Sequence, residues 1–167
     1  MKRRLTVALW IVLGFLWSFP VWALDYTDLY EYLPDLPGFK AQPPSGMKVQ
    51  TAGGVMVSAE REYRGSGPSL KVQIITGPMV AGMWLPFSMQ FSYENPQEKL
   101  ETTSIEGFPA KVLIRKPANS GEILVLLSSS NTPDALFVMH FQGLSPEEAR
   151  KYIPSFRLKE LASRLRP

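Results

Sequence analysis

Residues 55–78 read VMVSAEREYRGSGPSLKVQIITGP and contain the clearest hairpin pattern of the chain. Apolar and polar residues alternate on both sides of a Gly-Ser-Gly-Pro turn at residues 65–68, and the apolar positions are Val55, Val57, Ala59, Tyr63, Leu70, Val72 and Ile74. Period-two alternation with β-branched residues predicts strands. Glycine and proline at the turn leave each run unbroken. The stretch therefore predicts two antiparallel strands joined by a short turn.

Further strand patterns lie on both sides of this hairpin. A short strand is expected from Met47, and four more are expected at residues 100–105, 110–116, 122–128 and 135–142. The breaks between the last four have hairpin length and contain turn-forming residues. The second half of the chain therefore predicts an antiparallel meander.

Helical patterns flank these strands. Residues 25–33, DYTDLYEYL, predict a short amphipathic helix, and the proline-rich residues 33–46 predict an extended strap without regular structure. Ser145, Pro146 and Glu148 have the spacing of a capping box, which predicts the start of the C-terminal helices.

Strands that are followed by helices indicate an α+β fold. We expect an antiparallel β-sheet of about six strands, flanked by an N-terminal helix, a mid-chain helical segment and C-terminal helices. Residues 24–46 would form the N-terminal helix and the Pro-rich strap, and residues 47–167 would form a single α+β domain.

Residues 1–23 have the pattern of a secretory signal peptide. Lys2, Arg3 and Arg4 precede an apolar run, and Ala23 fits the cleavage position. The run is about 15 residues long, whereas a membrane-spanning helix needs about 20, so cleavage is favoured over an uncleaved anchor. We therefore expect a periplasmic or secreted protein.

Loss of these residues would leave the chain neutral. The sequence has 18 basic and 15 acidic residues, and removal of Lys2, Arg3 and Arg4 leaves 15 of each. A neutral chain has no electrostatic basis for binding nucleic acid, whose phosphates are recognised by clustered cations.

The sequence contains no cysteine, which excludes thiolate metal sites and thiol redox chemistry.

The order of these elements resembles the α/β/α sandwich that PsbP-like, Mog1-like and DcrB-like proteins share. The resemblance covers most of the chain after residue 23 and rests on the order of elements. It implies a small binding or accessory protein, often attached to a larger assembly, and it supplies no catalytic residues.

Residues typical of catalysis are few. A serine hydrolase would pair His140, the only histidine, with a serine of residues 128–130 and with Asp134. Serines before a proline are also ordinary turn residues, and the chain has no G-x-S-x-G elbow. We predict no catalytic residues and no enzymatic activity.

Metal-ligating residues are also few. One histidine without cysteine leaves too few ligands for zinc. Soft thioethers select Cu(I), and the candidate ligands are Met79, Met83, Met89, Met139 and His140. Because methionine more often fills gaps in a core, we predict no metal site and no cofactor, and we keep Cu(I) handling as an alternative function.

Residues 79–91, which we call the mid-chain segment, are the richest in large apolar side chains. At helical spacing, one face would hold Val80, Met83, Trp84 and Phe87. This face would either pack on the sheet or leave a groove for an apolar ligand or a partner protein. The predicted binding residues are Met79, Met83, Trp84, Phe87 and Met89.

The C-terminal helix offers a second candidate surface. Its basic residues are Arg157, Lys159, Arg164 and Arg166. They would contact anionic membrane head groups or would simply be solvated.

The leading hypothesis is an exported, non-enzymatic accessory or binding protein. Its partner would be an envelope protein or an apolar ligand, and not nucleic acid. The alternatives are a carrier or sensor of a hydrophobic small molecule, bound by the mid-chain segment, and periplasmic Cu(I) handling through the methionines.

Overall fold

The computed structural model describes residues 24–89, 91–116, 118–128 and 132–166, so the predicted signal peptide lies outside the described residues. Within these ranges, nine strands form one sheet in which all strand pairs are antiparallel. The strands are β1 Lys40–Ala41, β2 Ser45–Thr51, β3 Gly54–Arg64, β4 Ser69–Thr76, β5 Tyr93–Glu94, β6 Glu98–Ile105, β7 Phe108–Arg115, β8 Ser120–Leu126 and β9 Ala135–Gln142. The α-helices are α1 Met79–Trp84, α2 Pro146–Arg150 and α3 Leu158–Arg164, and the 3-10 helices are Tyr26–Tyr32, Leu85–Phe87 and Ile153–Phe156.

The last strand of the chain lies near the middle of the sheet. The order across the sheet is β1, β3, β4, β9, β8, β7, β6, β5, and β2 pairs with β3 on the same edge as β1. β6 to β9 form the predicted meander, β5 pairs with β6 at its outer edge, and β4 of the opening hairpin pairs with β9. The predicted α+β class with an antiparallel sheet is confirmed.

The opening hairpin consists of β3 and β4. Its register runs from Val57 opposite Thr76 to Tyr63 opposite Leu70. The turn closes where the Gly65 N–H donates to the Pro68 carbonyl at 2.8 Å. The alternation that predicts this hairpin therefore also predicts which side chains share a face.

The predicted number of about six strands is wrong, because nine strands form the sheet in the part of the chain that the structure describes. β1 and β5 have two residues each, too few for alternation to be visible. β1 and the start of β2 also lie within residues 33–46, for which the sequence predicts no regular structure. Backbone pairing with β3 overrides the local composition there, and the Gln42 N–H donates to the Glu62 carbonyl at 2.8 Å.

The helices also differ from the prediction. The N-terminal helix is a 3-10 helix, and Asp25 caps it by accepting a hydrogen bond from the Thr27 N–H at 3.3 Å. The mid-chain helix α1 has only six residues and continues as the 3-10 turn Leu85–Phe87, which contains Pro86. Proline has no N–H to extend an α-helix, so the chain tightens at this point.

The C-terminal region contains two short α-helices separated by a 3-10 turn. The predicted capping box at the start of α2 is confirmed, since the Glu148 N–H donates to Ser145 Oγ at 3.2 Å and the Ser145 N–H donates to Glu148 Oε2 at 2.8 Å. Pro154 lies in the 3-10 turn that follows α2. α3 then buries Leu158 and Leu161 against the sheet.

One face of the sheet carries the larger core, and we call it the helix-covered face. The two C-terminal α-helices and the first and third 3-10 helices pack on it. Its largest fully buried side chains include Leu29, Leu33, Tyr63, Ile74, Ile123, Phe137, Met139, Ile153, Phe156 and Leu158.

Two arginines bind residues 24–46, which we call the N-terminal segment, to the rest of the domain. Arg61 on β3 donates to the carbonyl oxygens of Leu33 at 2.6 Å and Gln42 at 2.7 Å. Arg157 donates to the carbonyl oxygen of Glu31 at 2.8 Å. Because charged donors bond strongly to carbonyls, the Arg61 contacts hold the strap and the Arg157 contact holds the N-terminal 3-10 helix against the rest of the domain.

The opposite face, which we call the open face, carries a smaller core beneath α1. Val80 and Trp84 pack there with Ile75, Leu124, Leu136 and Val138. The rest of this face has no helix over it among the described residues. The sheet is therefore covered completely on one side and partly on the other.

We predict that Gly121→Ala destabilises the fold. A Cβ at this position of β8 would lie 2.1 Å from the Leu113 carbonyl oxygen and 2.6 Å from Phe141 Cζ, so the strand or the ring must move. We expect the free energy of unfolding to fall by about 1–3 kcal/mol in urea denaturation.

Gly82→Ala is the matched control, because nothing lies within 4 Å of a Cβ at this position of α1. Alanine is the better helix former, so this variant should gain about 0.5–1 kcal/mol. Equal unfolding midpoints for Gly121→Ala and the wild type would contradict the close packing of β8.

Candidate functional site

The mid-chain segment begins where the chain leaves β4. The Gly77 N–H donates to the Asp134 carbonyl at 2.8 Å, which holds this exit beside the start of β9. α1 then places Val80 and Trp84 in the core of the open face. The Phe87 ring lies 6.3 Å from the Trp84 ring, so the 3-10 turn continues the same apolar contact.

The five predicted binding residues fall into two groups. Trp84 is only 6% exposed, and Phe87 packs against the same core. Met79, Met83 and Met89 are 53%, 39% and 68% exposed. The segment therefore packs on the sheet through its aromatic side chains and presents its methionines to the surface.

One cavity, of about 260 Å³, lies on one side of α1. Its lining residues are Ser45, Gly46, Met47, Met56, Ser58, Glu60, Gln73, Ile75 and Met83. Three methionines from three different elements supply much of its apolar lining, and we call it the methionine cavity. Gln73 Nε2 donates to Glu60 Oε2 at 3.3 Å at its polar end.

Sequence reasoning missed two of these methionines, Met47 and Met56. Met56 stands between Val55 and Val57, on the side of the strand whose other residues are polar. An apolar residue at such a position was the available signal. No signal in the sequence pointed to Met47, because its place depends on the register in which it lies opposite Ser58.

A second cavity, of about 510 Å³, lies between the 3-10 turn of the mid-chain segment and strands β6 and β7. Its lining residues are Trp84, Phe87, Ser88, Thr102, Thr103, Ser104, Gly107, Pro109, Ala110, Lys111 and Leu126. We call it the lysine cavity. It combines an aromatic wall, several hydroxyls and one cation.

Lys111 is the only charged side chain that is buried among the described residues, and it is 2% exposed. Its Nζ donates to the Met89 carbonyl at 2.7 Å and to Thr102 Oγ1 at 2.6 Å, and it lies 5.6 Å from the centre of the Phe91 ring. Burial lowers the pKa of Lys111. No carboxylate of the described residues pairs with it.

Beyond α1 the open face is polar. Glu62, Lys71, His140 and Glu122 occupy paired positions on four neighbouring strands. Glu122 Oε1 lies 3.6 Å from His140 Nδ1 and 2.5 Å from Arg115 Nη2. The nearby His140 imidazole and the hydrogen bond from Arg115 lower the pKa of Glu122 to about 2 against the opposing effect of burial.

The residues of the serine hydrolase pattern do not come together. Ser128 Oγ accepts hydrogen bonds from the N–H groups of Asp134 at 2.7 Å and Ala135 at 2.9 Å, at the start of β9. His140 lies near the other end of that strand, about 16 Å away at the usual rise per residue. Ser129 and Ser130 lie outside the described residues.

The Cu(I) candidates are not gathered in one place either. Met139 is buried on the helix-covered face, whereas its neighbour His140 lies on the open face. In the part of the chain that the structure describes, no group of three or more histidine or carboxylate side chains is arranged to hold a metal ion.

The basic residues of the C-terminal region lie at the surface. Lys159, Arg164 and Arg166 are exposed, while α3 turns its leucines inward. Arg157 differs, because it binds Glu160 at 3.1 Å and stacks 5.0 Å from the centre of the Tyr32 ring. Its charge is therefore engaged within the fold.

Comparisons with protein families, curated proteins and solved structures found no match. None of the helices within the described ranges is both long and apolar enough to cross a membrane. The resemblance to PsbP-like, Mog1-like and DcrB-like proteins stays a prediction.

We predict that Glu122 makes the free energy of unfolding depend on pH in the acidic range. Its pKa falls from an ordinary 4.5 to about 2 in the folded protein. A carboxyl with a lowered folded pKa stabilises the folded state above its unfolded pKa, and this contribution is lost as the pH falls towards the folded value. Glu122→Gln should therefore be less stable than the wild type near neutral pH.

Urea denaturation of both proteins at a series of pH values measures this effect. The difference in unfolding free energy should shrink as the pH falls from 4.5 to about 2. A difference that stays constant across this interval would show that the ion pairs of Glu122 do not lower its pKa.

Proposed function

We propose that this protein is an exported, non-enzymatic binding protein that holds a small hydrophobic molecule beside the mid-chain segment. The observation that supports this most directly is the partial cover of the open face. α1 and its 3-10 turn cover only the middle of this face, and a cavity lies on each side of them.

The chemistry of the two cavities fits such a ligand. Binding sites for small molecules are concave and mostly apolar, with a few polar groups that fix orientation. Met47, Met56 and Met83 provide flexible apolar contacts in the methionine cavity, and methionine adapts well to ligands of varied shape. Trp84 and Phe87 provide a rigid wall in the lysine cavity.

Trp84 makes the proposal directly testable. It is the only tryptophan after residue 23, so the exported protein would have a single fluorescent reporter, which lines the lysine cavity and is next in the chain to Met83 of the methionine cavity. We expect N-phenyl-1-naphthylamine, an uncharged apolar dye, to quench Trp84 fluorescence in a saturable way. Met83→Ser should weaken binding roughly tenfold, because Met83 is 39% exposed and its cover by the ligand would contribute about 1–2 kcal/mol.

Met79→Ser is the matched control, since Met79 lies on the same helix, is exposed and lines neither cavity. It should bind the dye as the wild type does. Absence of saturable quenching would refute the proposed function. Equal losses in Met79→Ser and Met83→Ser would refute the assignment to the methionine cavity.

Met83→Leu separates the apolar ligand from Cu(I), the other proposed occupant of methionine-rich surface. Leucine keeps the apolar contact and removes the thioether that Cu(I) requires. We expect this variant to retain dye binding. Strong Cu(I) binding by the wild type that is lost in Met83→Leu would favour copper handling instead.

A second candidate function, an accessory role through a partner protein, is favoured by the exposed edge of the sheet. β2 pairs only with β3 among the described strands, and its Met47 and Val49 are 54% and 38% exposed. A free strand edge with apolar side chains can accept an extended segment of another protein. We propose that such a partner would contribute an apolar strand.

The double variant Met47→Lys with Val49→Lys tests this role. Both side chains are exposed, so the fold should persist while an apolar partner is repelled. We expect a partner captured from cell envelopes by the wild type to be lost. Gln50→Lys, on the other face of β2, should keep it, and identical capture by all three proteins would contradict the role of this edge.

A further inference from the structure

We infer that the lysine cavity binds an amphiphile with a single carboxylate head group, which pairs with Lys111 while its hydrocarbon part lies against Trp84 and Phe87. This inference rests on the proposed function and names the class of ligand. A medium-chain fatty acid is the simplest molecule of this kind.

The Lys111 ammonium group is a buried charge. Buried charges in proteins are normally paired with an opposite charge. The two partners of Lys111 Nζ, the Met89 carbonyl and the Thr102 hydroxyl, are both neutral. An ammonium group has three donors, so one remains for a ligand.

The strands on either side of β7 each carry an acidic residue at about the level of Lys111: Glu101 on the helix-covered face of β6, and Glu122 on the open face of β8. Glu101 on β6 pairs with Lys99 at 2.7 Å and with Arg150 at 3.3 Å. Glu122 on β8 pairs with Arg115 at 2.5 Å. Both carboxylates are therefore paired with other cations, and Glu101 also lies on the opposite face of the sheet from Lys111, so a bound ligand is the proposed counter-ion.

The lysine cavity has a polar part and an apolar part. Lys111 lies opposite Thr102 in the β6–β7 pair and opposite Leu124 in the β7–β8 pair. The hydroxyls of Thr102 and Ser104, which share the open face with Lys111, therefore lie on the β6 side, and the apolar residues Leu126 and Trp84 lie on the other. A cation with hydroxyls at one side and an aromatic wall at the other matches an amphiphile.

The size of the cavity is consistent with such a ligand. Its volume of about 510 Å³ lies within the range that small-molecule sites usually have, roughly 300–1,000 Å³. Burial of Lys111 disfavours its charged form, so an anion beside it would restore the charge. Electrostatic attraction is stronger where water is excluded, and Lys111 is only 2% exposed.

Calorimetric titration of the exported protein with decanoate and with decan-1-ol tests the inference, because the two ligands share a chain and differ in charge. We expect the wild type to prefer decanoate by about tenfold or more, as for a charge-assisted contact. Lys111→Met keeps the length of the side chain and removes its charge. It should bind both ligands about equally, while Lys111→Arg should keep the preference.

This design separates an ion pair with the ligand from a merely structural role. If Lys111 only anchors the Met89 carbonyl, Lys111→Met would weaken both ligands by the same factor, and the preference for decanoate would persist. That result would overturn the inference. Equal binding of both ligands by the wild type would also overturn it and leave the proposed function intact, whereas binding of neither ligand would count against both.

Discussion

The need to cover both faces of the central strands shapes the whole molecule. β9 is buried on both sides from Ala135 to Met139, so apolar groups must pack on each face of the sheet. On the open face this task falls to α1, whose six residues extend only about 9 Å. The four neighbouring strands β4, β9, β8 and β7 span about 14 Å at the usual spacing between strands. A helix of this length leaves part of the face uncovered, and the cavities lie there.

The two faces differ in their chemistry because they are covered differently. On the helix-covered face, Arg61 and Arg157 bind backbone carbonyls of the N-terminal segment and hold a continuous apolar core in place. On the open face, charged side chains pair with one another across strands, as Glu122 does with Arg115. A ligand on the open face can therefore bind without disturbing the larger core.

Lys111 contacts the mid-chain segment, which covers part of the open face, and is also the proposed partner of the ligand. Its hydrogen bond to the Met89 carbonyl holds the end of the mid-chain segment over the sheet, and Thr102 Oγ1 extends this contact by donating to the Phe91 carbonyl at 2.6 Å. The same group that anchors the segment is the cation of the lysine cavity. Occupation of that cavity is therefore expected to be coupled to the position of the segment.

The sequence by itself determined the hairpin of residues 55–78, the meander and the capping box at Ser145. Alternation and capping depend on residues that are only a few positions apart, so they can be recognised without the tertiary structure. The same patterns identified the mid-chain segment but not its cavities. Lys111 stands in an alternating strand, where a lysine is normally solvated, and Met47 precedes the hairpin without any distinguishing pattern. Only the tertiary structure buries Lys111 beneath Met89 and brings Met47 to Met83, since both depend on the packing of elements that are distant in sequence.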